Sequence, residues 1–476
     1  MDNHDVPPTE GPPAGVSSVR SDAAALRAFY HSQATRPIAF RKEQLRALGR
    51  AIEVHDSDIL DALHADLRKP RLEAYASEVG FVLSDIDYAV RYMAGWARPK
   101  RRRAPLISWP SRGCVRPEPY GAVLIIGPWN YPFQLLVSPL VGAMAAGNCV
   151  CLKPSELAPA TSAVIAQIIR DTFPKDYIAV VEGGRETAED LISQGFDCLF
   201  FTGSARVGRQ VMKAAARHLT PLTLELGGKN PCIVCRDIDL RAAARRILWG
   251  KCMNAGQTCV APDYVLVDTH IENRLLTEFK RVLHEFYGDA PRQSLDYGRI
   301  VNHRHFERLV GYLDQGRIVC GGEHEADDLF IAPTVLADIH QSSLVMQEEI
   351  FGPILPVVPF QSIDELVVGL RQRPKPLALY LFTRDRAIQE RILAETGSGG
   401  VCINDTMSHL FSKNLPFGGV GTSGMGRYHG KASFDCFTHN RSVLRRSMWP
   451  DPGFRYPPAR HSLATVRRFY HLLMRR

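Results

Sequence analysis

"FDCLFFTGSARVGRQVMKAAARHLTPLTLELGG", Phe196 to Gly228, carries an apolar run, a glycine turn, a stretch of helical spacing and a second apolar run ending on two glycines. The runs "CLFF" and "LTLEL" are short, unbroken and bounded by turn residues, which marks them as buried strands rather than helices. Between them, "RVGRQVMKAAARHL" spaces Val207 and Val211 as one helical face. A strand–turn–helix–strand unit with nearly all-apolar strands belongs to a parallel sheet covered on both sides. Ligands of such sheets bind beyond the carboxyl ends of the strands, where Gly203, Gly208 and Glu225 fall.

The alternation extends upstream. "GAVLIIG", "CVCLKP" and "YIAVVEG" read as strands, and "LLVSPLVGAMAAGN", "ATSAVIAQIIRDTF" and "TAEDLIS" as the helices among them. Residues 23–97 have helical spacing throughout, and residues 1–22, rich in proline and polar groups, read as a disordered arm. "RPKRRRAPLISWPSRGCVRPEP" then breaks the periodicity as a connector or extended arm. From 227 to 411 a second strand and helix alternation, with "PCIVC", "DYVLVD" and "LALYLFT" as strands, gives a second α/β domain. No fixed-period repeat is present, which removes solenoids.

Composition bounds the function. At 476 residues, with 45% hydrophobic and 23% charged residues, the chain reads as a soluble protein of two or three domains. Its 58 basic and 50 acidic residues leave +8, part of it in "RPKRRR" and the C-terminal tail. That run has neither interleaved aromatics nor a nucleic-acid motif, so no nucleic-acid partner is expected. Eleven scattered cysteines fit no disulfide framework, and no apolar run approaches the roughly 18 residues of a spanning helix, which places the chain in the cytoplasm. "PCIVC" has no partner pair to complete a metal site, so none is assigned.

Three residues carry candidate chemistry. Cys259, in "MNAGQTCVAP", sits among small and turn-forming residues; burial as a small hydrophobe is the ordinary fate of a free cysteine, and nucleophilic attack the alternative. Glu225, in "LELGGKNP", ends a strand, where desolvation raises a carboxyl toward the working pH and lets it act as a base; a salt-bridging carboxylate is the plainer reading. Asn130, in "IIGPWNYPF", follows a strand at a rigid turn, from which its amide and the Cys259 N–H can donate to an oxyanion. The spacing of Gly203 and Gly208 suits a phosphate near a helix N-terminus, yet Arg209-Gln210 stands where a Walker loop needs Lys-Ser/Thr, which argues against an NTPase.

The ordered set "PWN", "KPSE", "FTGS", "LELGGK", "GQTC", "EEIFGP" and "PFGGVGTSGMG" resembles the NAD(P)-dependent aldehyde dehydrogenase superfamily over residues 25–458. "AGQTCVAPDYVL", "PLALYLF", "GMGRYHGKASFDCF" and "RYPP" resemble its class 3 branch, the fatty and aromatic aldehyde dehydrogenases. Glu225 and Cys259 are 34 residues apart, as is usual there. The resemblance implies that Cys259 forms a thiohemiacetal and then a thioester, that Asn130 holds its oxygen and that Glu225 activates the hydrolytic water. It implies NAD as cofactor, with NADP also open: Lys153 and Glu156 at the adenosine ribose, Thr202, Gly203, Ser204 and Gly208 near the pyrophosphate, Trp129 along the channel, Glu349 and Phe351 at the nicotinamide. Tyr131, Met407 and His409 are candidates for the substrate funnel.

By the same resemblance the fold is an aldehyde dehydrogenase-like α/β fold with two doubly wound parallel-sheet domains and a small β arm. The dinucleotide-binding domain would comprise 23–98 and 120–226, the catalytic domain 227–411, and the bridging arm 99–119 and 412–442, leaving 443–476 as tail. A homodimer is implied. The tail "SLATVRRFYHLLMRR" reads as a basic amphipathic helix that either leans on anionic lipid, giving peripheral membrane contact through 459–476, or covers a neighbouring subunit's funnel; a frayed surface helix is the plain alternative. The function expected is oxidation of medium- or long-chain aliphatic or aromatic aldehydes to acids. A binding protein on the same fold and a coenzyme-A-acylating or esterase variant are the alternatives, the latter disfavoured by Glu225.

Overall fold

A computed structural model describes residues 14–105, 108–451, 456–458 and 462–474. Two parallel-rich sheets dominate it. The first has six strands in the order Gly424–Met425, Leu222–Leu226, Cys198–Gly203, Ala122–Ile126, Cys149–Lys153, Ile178–Val180, with only Gly424–Met425 antiparallel. Strand order reverses at Ala122–Ile126, which is flanked by Cys149–Lys153 on one side and Cys198–Gly203 on the other. A cleft opens beyond the carboxyl ends at such a reversal. Trp129 and Asn130 follow the first of these strands, and Ser204 follows the last.

The helices follow from their sequences. Gln134–Ala146 is apolar around its whole circumference and buried along its whole length, and it stops where Gly147 turns left-handed at φ 98°. Ala205–Ala215 is amphipathic and starts at Ser204, whose hydroxyl accepts a hydrogen bond from Val207 N at 3.4 Å. Gly208 on that helix packs so closely on Leu226 that a methyl group there would collide with it. Four helices from Ile38–Val54 to Gly80–Trp96, one of them opening into a π-helical turn at Tyr75–Val79, pack on the first sheet's outer helices.

The second sheet has seven strands in the order Arg317–Cys320, Thr334–Ala337, Ile354–Phe360, Tyr264–Asp268, Pro231–Val234, Ala378–Phe382, Gly400–Ile403, antiparallel only at its first pair. A third, antiparallel sheet joins Lys100–Arg102, Ser111–Pro119 and Thr438–Arg446 into an arm whose last strand is a largely exposed edge. The mixed α/β class with parallel sheets agrees with the sequence reading.

Two expectations change. Helix Ala14–His31 starts inside the stretch read as a disordered arm, because Ala23 and Leu26 have a core to enter; residues 1–13 lie outside the described residues. The second piece of the β arm is displaced: Gly424–Met425 pairs with Leu222–Leu226, helix Lys431–Cys436 packs on Gln134–Ala146, and the arm strand itself runs from Thr438 to Arg446. In the tail, 459–461, 475 and 476 lie outside the described residues, and helix Leu463–Met474 forms with its described side chains exposed.

Buried Asn148 ties these layers together. Its Oδ1 accepts from Gly121 N at 3.0 Å, and its Nδ2 donates to Ala143 O at 3.1 Å and Phe437 O at 3.0 Å. Truncation would strand these main-chain groups in the interior. We expect Asn148→Ala to lower stability by about 2–4 kcal/mol, read as a fall in denaturant midpoint at unchanged m-value.

Candidate active site

Cys259 follows a backbone turn without regular precedent. Helix Leu240–Cys252 ends, and Asn254, Ala255 and Gly256 take left-handed φ values of 51°, 51° and 76° in succession. Gly256 is obligatory, since any Cβ would meet the Gly352 carbonyl. Side-chain amides hold the turn. Gln257 Nε2 donates to Asn254 O and Arg299 O at 3.0 and 2.9 Å, and Gln257 Oε1 accepts from Val301 N at 3.0 Å.

Asn130 is locked to the same turn. Its Nδ2 donates to Gln257 O at 3.1 Å, which leaves its second N–H for another acceptor, and its carbonyl accepts from Asn254 Nδ2 at 2.7 Å and Lys69 Nζ at 3.1 Å. Lys69 is fully buried and ion-paired with Glu78, which also accepts from Phe133 N at 2.9 Å and Gln134 N at 3.2 Å. The N-terminal helices thereby fix the loop that carries Asn130.

Two cavities meet at the cysteine. One, the larger, is lined by Trp129, Asn130, Thr202, Glu225 and Glu349 as well as Cys259. The other is lined by aromatic and aliphatic side chains that include Phe81, Tyr131, Met253, Met407 and Phe417. Cys259 and Leu135 belong to both. The cysteine is therefore a shared wall, reachable from two sides.

The electrostatics are those of a dry acidic site. Burial raises Glu225 well above the usual carboxylate range, against the pull of Arg427, and neither of its oxygens has a hydrogen-bond partner. Burial, with Asp263 adding to it, pushes Glu349 up to about 8. Burial and then the two carboxylates, Glu349 and Glu225, push the Cys259 thiol up to about 12, opposed by the Cys259 and Val260 N–H groups that face the sulfur. Without a cationic neighbour the thiol is held protonated.

The larger cavity fits a dinucleotide. Thr202 Oγ1 and Glu349 Oε1 are buried without partners. A side chain at Gly227 would overlap the Glu349 carboxylate, so the carboxylate lies flat against bare backbone. Trp129 and Phe351 meet edge to face at 5.3 Å, which forms an aromatic slot. Gly203 and Ser204 line the cavity at the N-terminus of helix Ala205–Ala215, a natural place for phosphate.

Some expected residues stand elsewhere. Lys153 and Glu156 pair at 2.8 Å at the end of the neighbouring strand, outside this cavity's lining, and Gly208 serves the packing on Leu226. Tyr131 and Met407 line the apolar cavity, and Tyr131 Oη meets Thr258 Oγ1 at 2.8 Å. His409 does not line it; it packs between Tyr380 and Phe417. His305 and Arg308, on helix His303–Val310, line the larger cavity, and Phe81, Phe417 and His429 the smaller. None of these five was found from sequence. His429 alone carried a local signal, a histidine amid the glycines of "GMGRYHG".

Comparison with known proteins agrees with this geometry. Residues 11–443 match the aldehyde dehydrogenase family. The chain is 48% identical to the 4,4'-diaponeurosporen-aldehyde dehydrogenase of Staphylococcus aureus, covering 93% of this chain and 97% of that protein. It is 46% identical to the dimeric NADP-preferring aldehyde dehydrogenase of Canis lupus familiaris, over 93% and 98%. The solved structure described as the substrate-bound state of Staphylococcus aureus AldH superposes with a TM-score of 0.92 at 47% identity, covering 96% of this chain and 99% of that one.

The acidic surroundings of the thiol can be titrated directly. In the ligand-free protein, alkylation of Cys259 by iodoacetamide should rise only toward strongly alkaline pH. Glu349→Gln removes a negative neighbour, so its alkylation profile should move to lower pH; an unmoved profile would show that the two groups are uncoupled.

Proposed function

The chain belongs to the aldehyde dehydrogenase family, as an NAD(P)-dependent enzyme that oxidises aldehydes to carboxylic acids, and we propose that Cys259 is its nucleophile, Asn130 its oxyanion donor and Glu225 its base. The observation that carries this reading is Cys259 as the common wall of two cavities, with Glu225 and Asn130 both lining the larger one.

An aldehyde reaching Cys259 through the apolar cavity presents its carbonyl carbon to the sulfur. The thiol passes its proton to Glu225 as the C–S bond forms, Glu225 releasing it to solvent before the hydrolytic step, and the carbonyl oxygen takes up negative charge. The free N–H of Asn130 Nδ2 and the Cys259 N–H stabilise that oxygen; one such donor is worth about 3 kcal/mol in the transition state. When bound, the nicotinamide supplies a hydride acceptor and a positive charge. Loss of hydride from the thiohemiacetal carbon leaves a thioester on Cys259. Glu225, whose carboxyl burial raises well above the usual carboxylate range, takes a proton from water as that water attacks the thioester and returns it to the departing sulfur, releasing the acid and restoring the thiol.

Glu349 and the Trp129–Phe351 slot suit the nicotinamide half, and Thr202, Gly203 and Ser204 the phosphates. Lys153 and Glu156 remain candidates for the adenosine ribose, with NAD favoured and NADP accepted. The apolar character of the second cavity supports medium- or long-chain aliphatic or aromatic substrates. A homodimer joined through the β arm is consistent with the dimeric relative.

Among the described residues no helix is long and apolar enough to cross a membrane. Helix Leu463–Met474 exposes Val466, Phe469 and Tyr470 beside Arg467 and Arg468, which supports peripheral contact with anionic lipid.

Cys259→Ala should abolish turnover of alkanals while retaining dinucleotide binding by fluorescence titration, and Glu225→Gln should slow thioester breakdown, so that a burst of reduced nicotinamide precedes a depressed steady state. Asn130→Ala should lower kcat by about 10²–10³-fold. In liposome flotation, the full chain should partition with phosphatidylserine vesicles more than a truncation after Pro458; equal partitioning would exclude the membrane role.

A further inference from the structure

We propose that His429 makes the apolar cavity selective for aldehydes that carry a hydroxyl group along their chain, by offering that hydroxyl a hydrogen-bond acceptor. The proposal deepens the reading of Cys259 and its neighbours given above and rests on it.

The argument begins with which polar groups in that cavity are already satisfied. Tyr131 Oη bonds Thr258 Oγ1 at 2.8 Å, and Ser77 Oγ donates to Glu73 O at 2.7 Å. His429 differs. It is buried, it lines the cavity, and neither ring nitrogen has a hydrogen-bond partner. A buried polar group left unpaired is costly, and a site that tolerates one discriminates sharply for a ligand able to pair with it.

The ring is rigidly placed. Phe417 stacks on it at 5.1 Å and 20°, and Phe81 and Tyr428 close around it with centroids at 5.5 and 4.4 Å. The backbone beneath is strained: His429 has φ 77°, and its N–H is spent on Ser433 Oγ at 2.9 Å. Paired hydrogen bonds between Phe417 and Tyr428, at 2.9 and 2.8 Å, brace the strained residue. A left-handed histidine held this firmly inside an apolar wall needs a reason beyond packing, which Phe would serve as well.

The chemistry of the missing partner follows from the ring's state. Burial, with Lys413 and His409 beside it, pushes His429 down to about 3, so the imidazole is neutral and has one N–H and one bare nitrogen. The one backbone group facing the ring is that of Leu410, in a contact that favours the protonated ring and falls short of hydrogen-bond geometry. That contact draws the N–H toward Leu410 and leaves the other nitrogen as a lone-pair acceptor. A substrate hydroxyl donates to such a nitrogen; a keto or ether oxygen does not.

The test compares octanal with its monohydroxy isomers, scoring kcat/KM for each. In the wild-type protein at least one isomer should exceed octanal by about tenfold or more. The ratio of that isomer to octanal should collapse to near one in His429→Phe, which keeps the stack on Phe417 but removes the acceptor. His429→Asn, which tolerates a left-handed backbone and supplies an amide oxygen, should restore part of the ratio; a purely structural role would not be rescued selectively. Titration calorimetry with octanoic acid and its matching hydroxy acid reads the same preference without turnover. Absence of any hydroxyl preference in the wild-type protein, or an equal ratio in His429→Phe, overturns the subsite. A wild-type protein that oxidises no aldehyde but still prefers the hydroxy acid in calorimetry instead overturns the catalytic assignment and leaves the subsite standing.

Discussion

The side-chain amide of Gln257 holds the site in shape. It satisfies the carbonyls of Asn254 and Arg299 and the N–H of Val301, while the Gln257 carbonyl accepts from both Asn130 Nδ2 and Asn254 Nδ2. Three consecutive left-handed residues are unfavourable for an L-polypeptide, most of all at Ala255. A buried amide network offsets that strain and converts it into a fixed position for Cys259. Cys259 and Asn130 are set by the same hydrogen bonds, so neither can drift without the other.

Support for that network comes from distant parts of the chain. The buried Lys69–Glu78 pair reaches from the N-terminal helices to the Asn130 carbonyl and to the Phe133 and Gln134 N–H groups, and Glu73 accepts from Asn254 N at 2.7 Å. Burial pushes Glu73 up to about 7, so its carboxyl titrates close to neutrality. The helices before the first sheet thus hold the Asn130 loop and the turn before Cys259 as well as covering the sheet.

The sheets were readable in the sequence because their strands are unbroken apolar runs closed by glycine, as at Cys198–Gly203 and Leu222–Leu226. Glu225 and Asn130 stood out because each ends or follows such a strand and Cys259 because of its motif, and all three line one cavity. Strands such as Arg317–Cys320 and Gly400–Ile403 were not, since each is only four residues long and half-exposed, too short for a period to show. Cavity walls were least legible: Phe81 and Phe417 are brought together only by tertiary packing, and no local periodicity encodes that meeting. His409 was named for the funnel and His429 was not, because only packing decides which histidine faces the cavity.

Leu135 and Cys259 are the two side chains common to both cavities. Everything else on the aldehyde side can be rebuilt by mutation without touching a residue on the dinucleotide side. Such a partition makes the enzyme modular in its ancestry: substitutions that lengthen, narrow or polarise one chamber leave the hydride chemistry of the other intact, so new substrate ranges are open to a lineage that never has to reinvent its redox half.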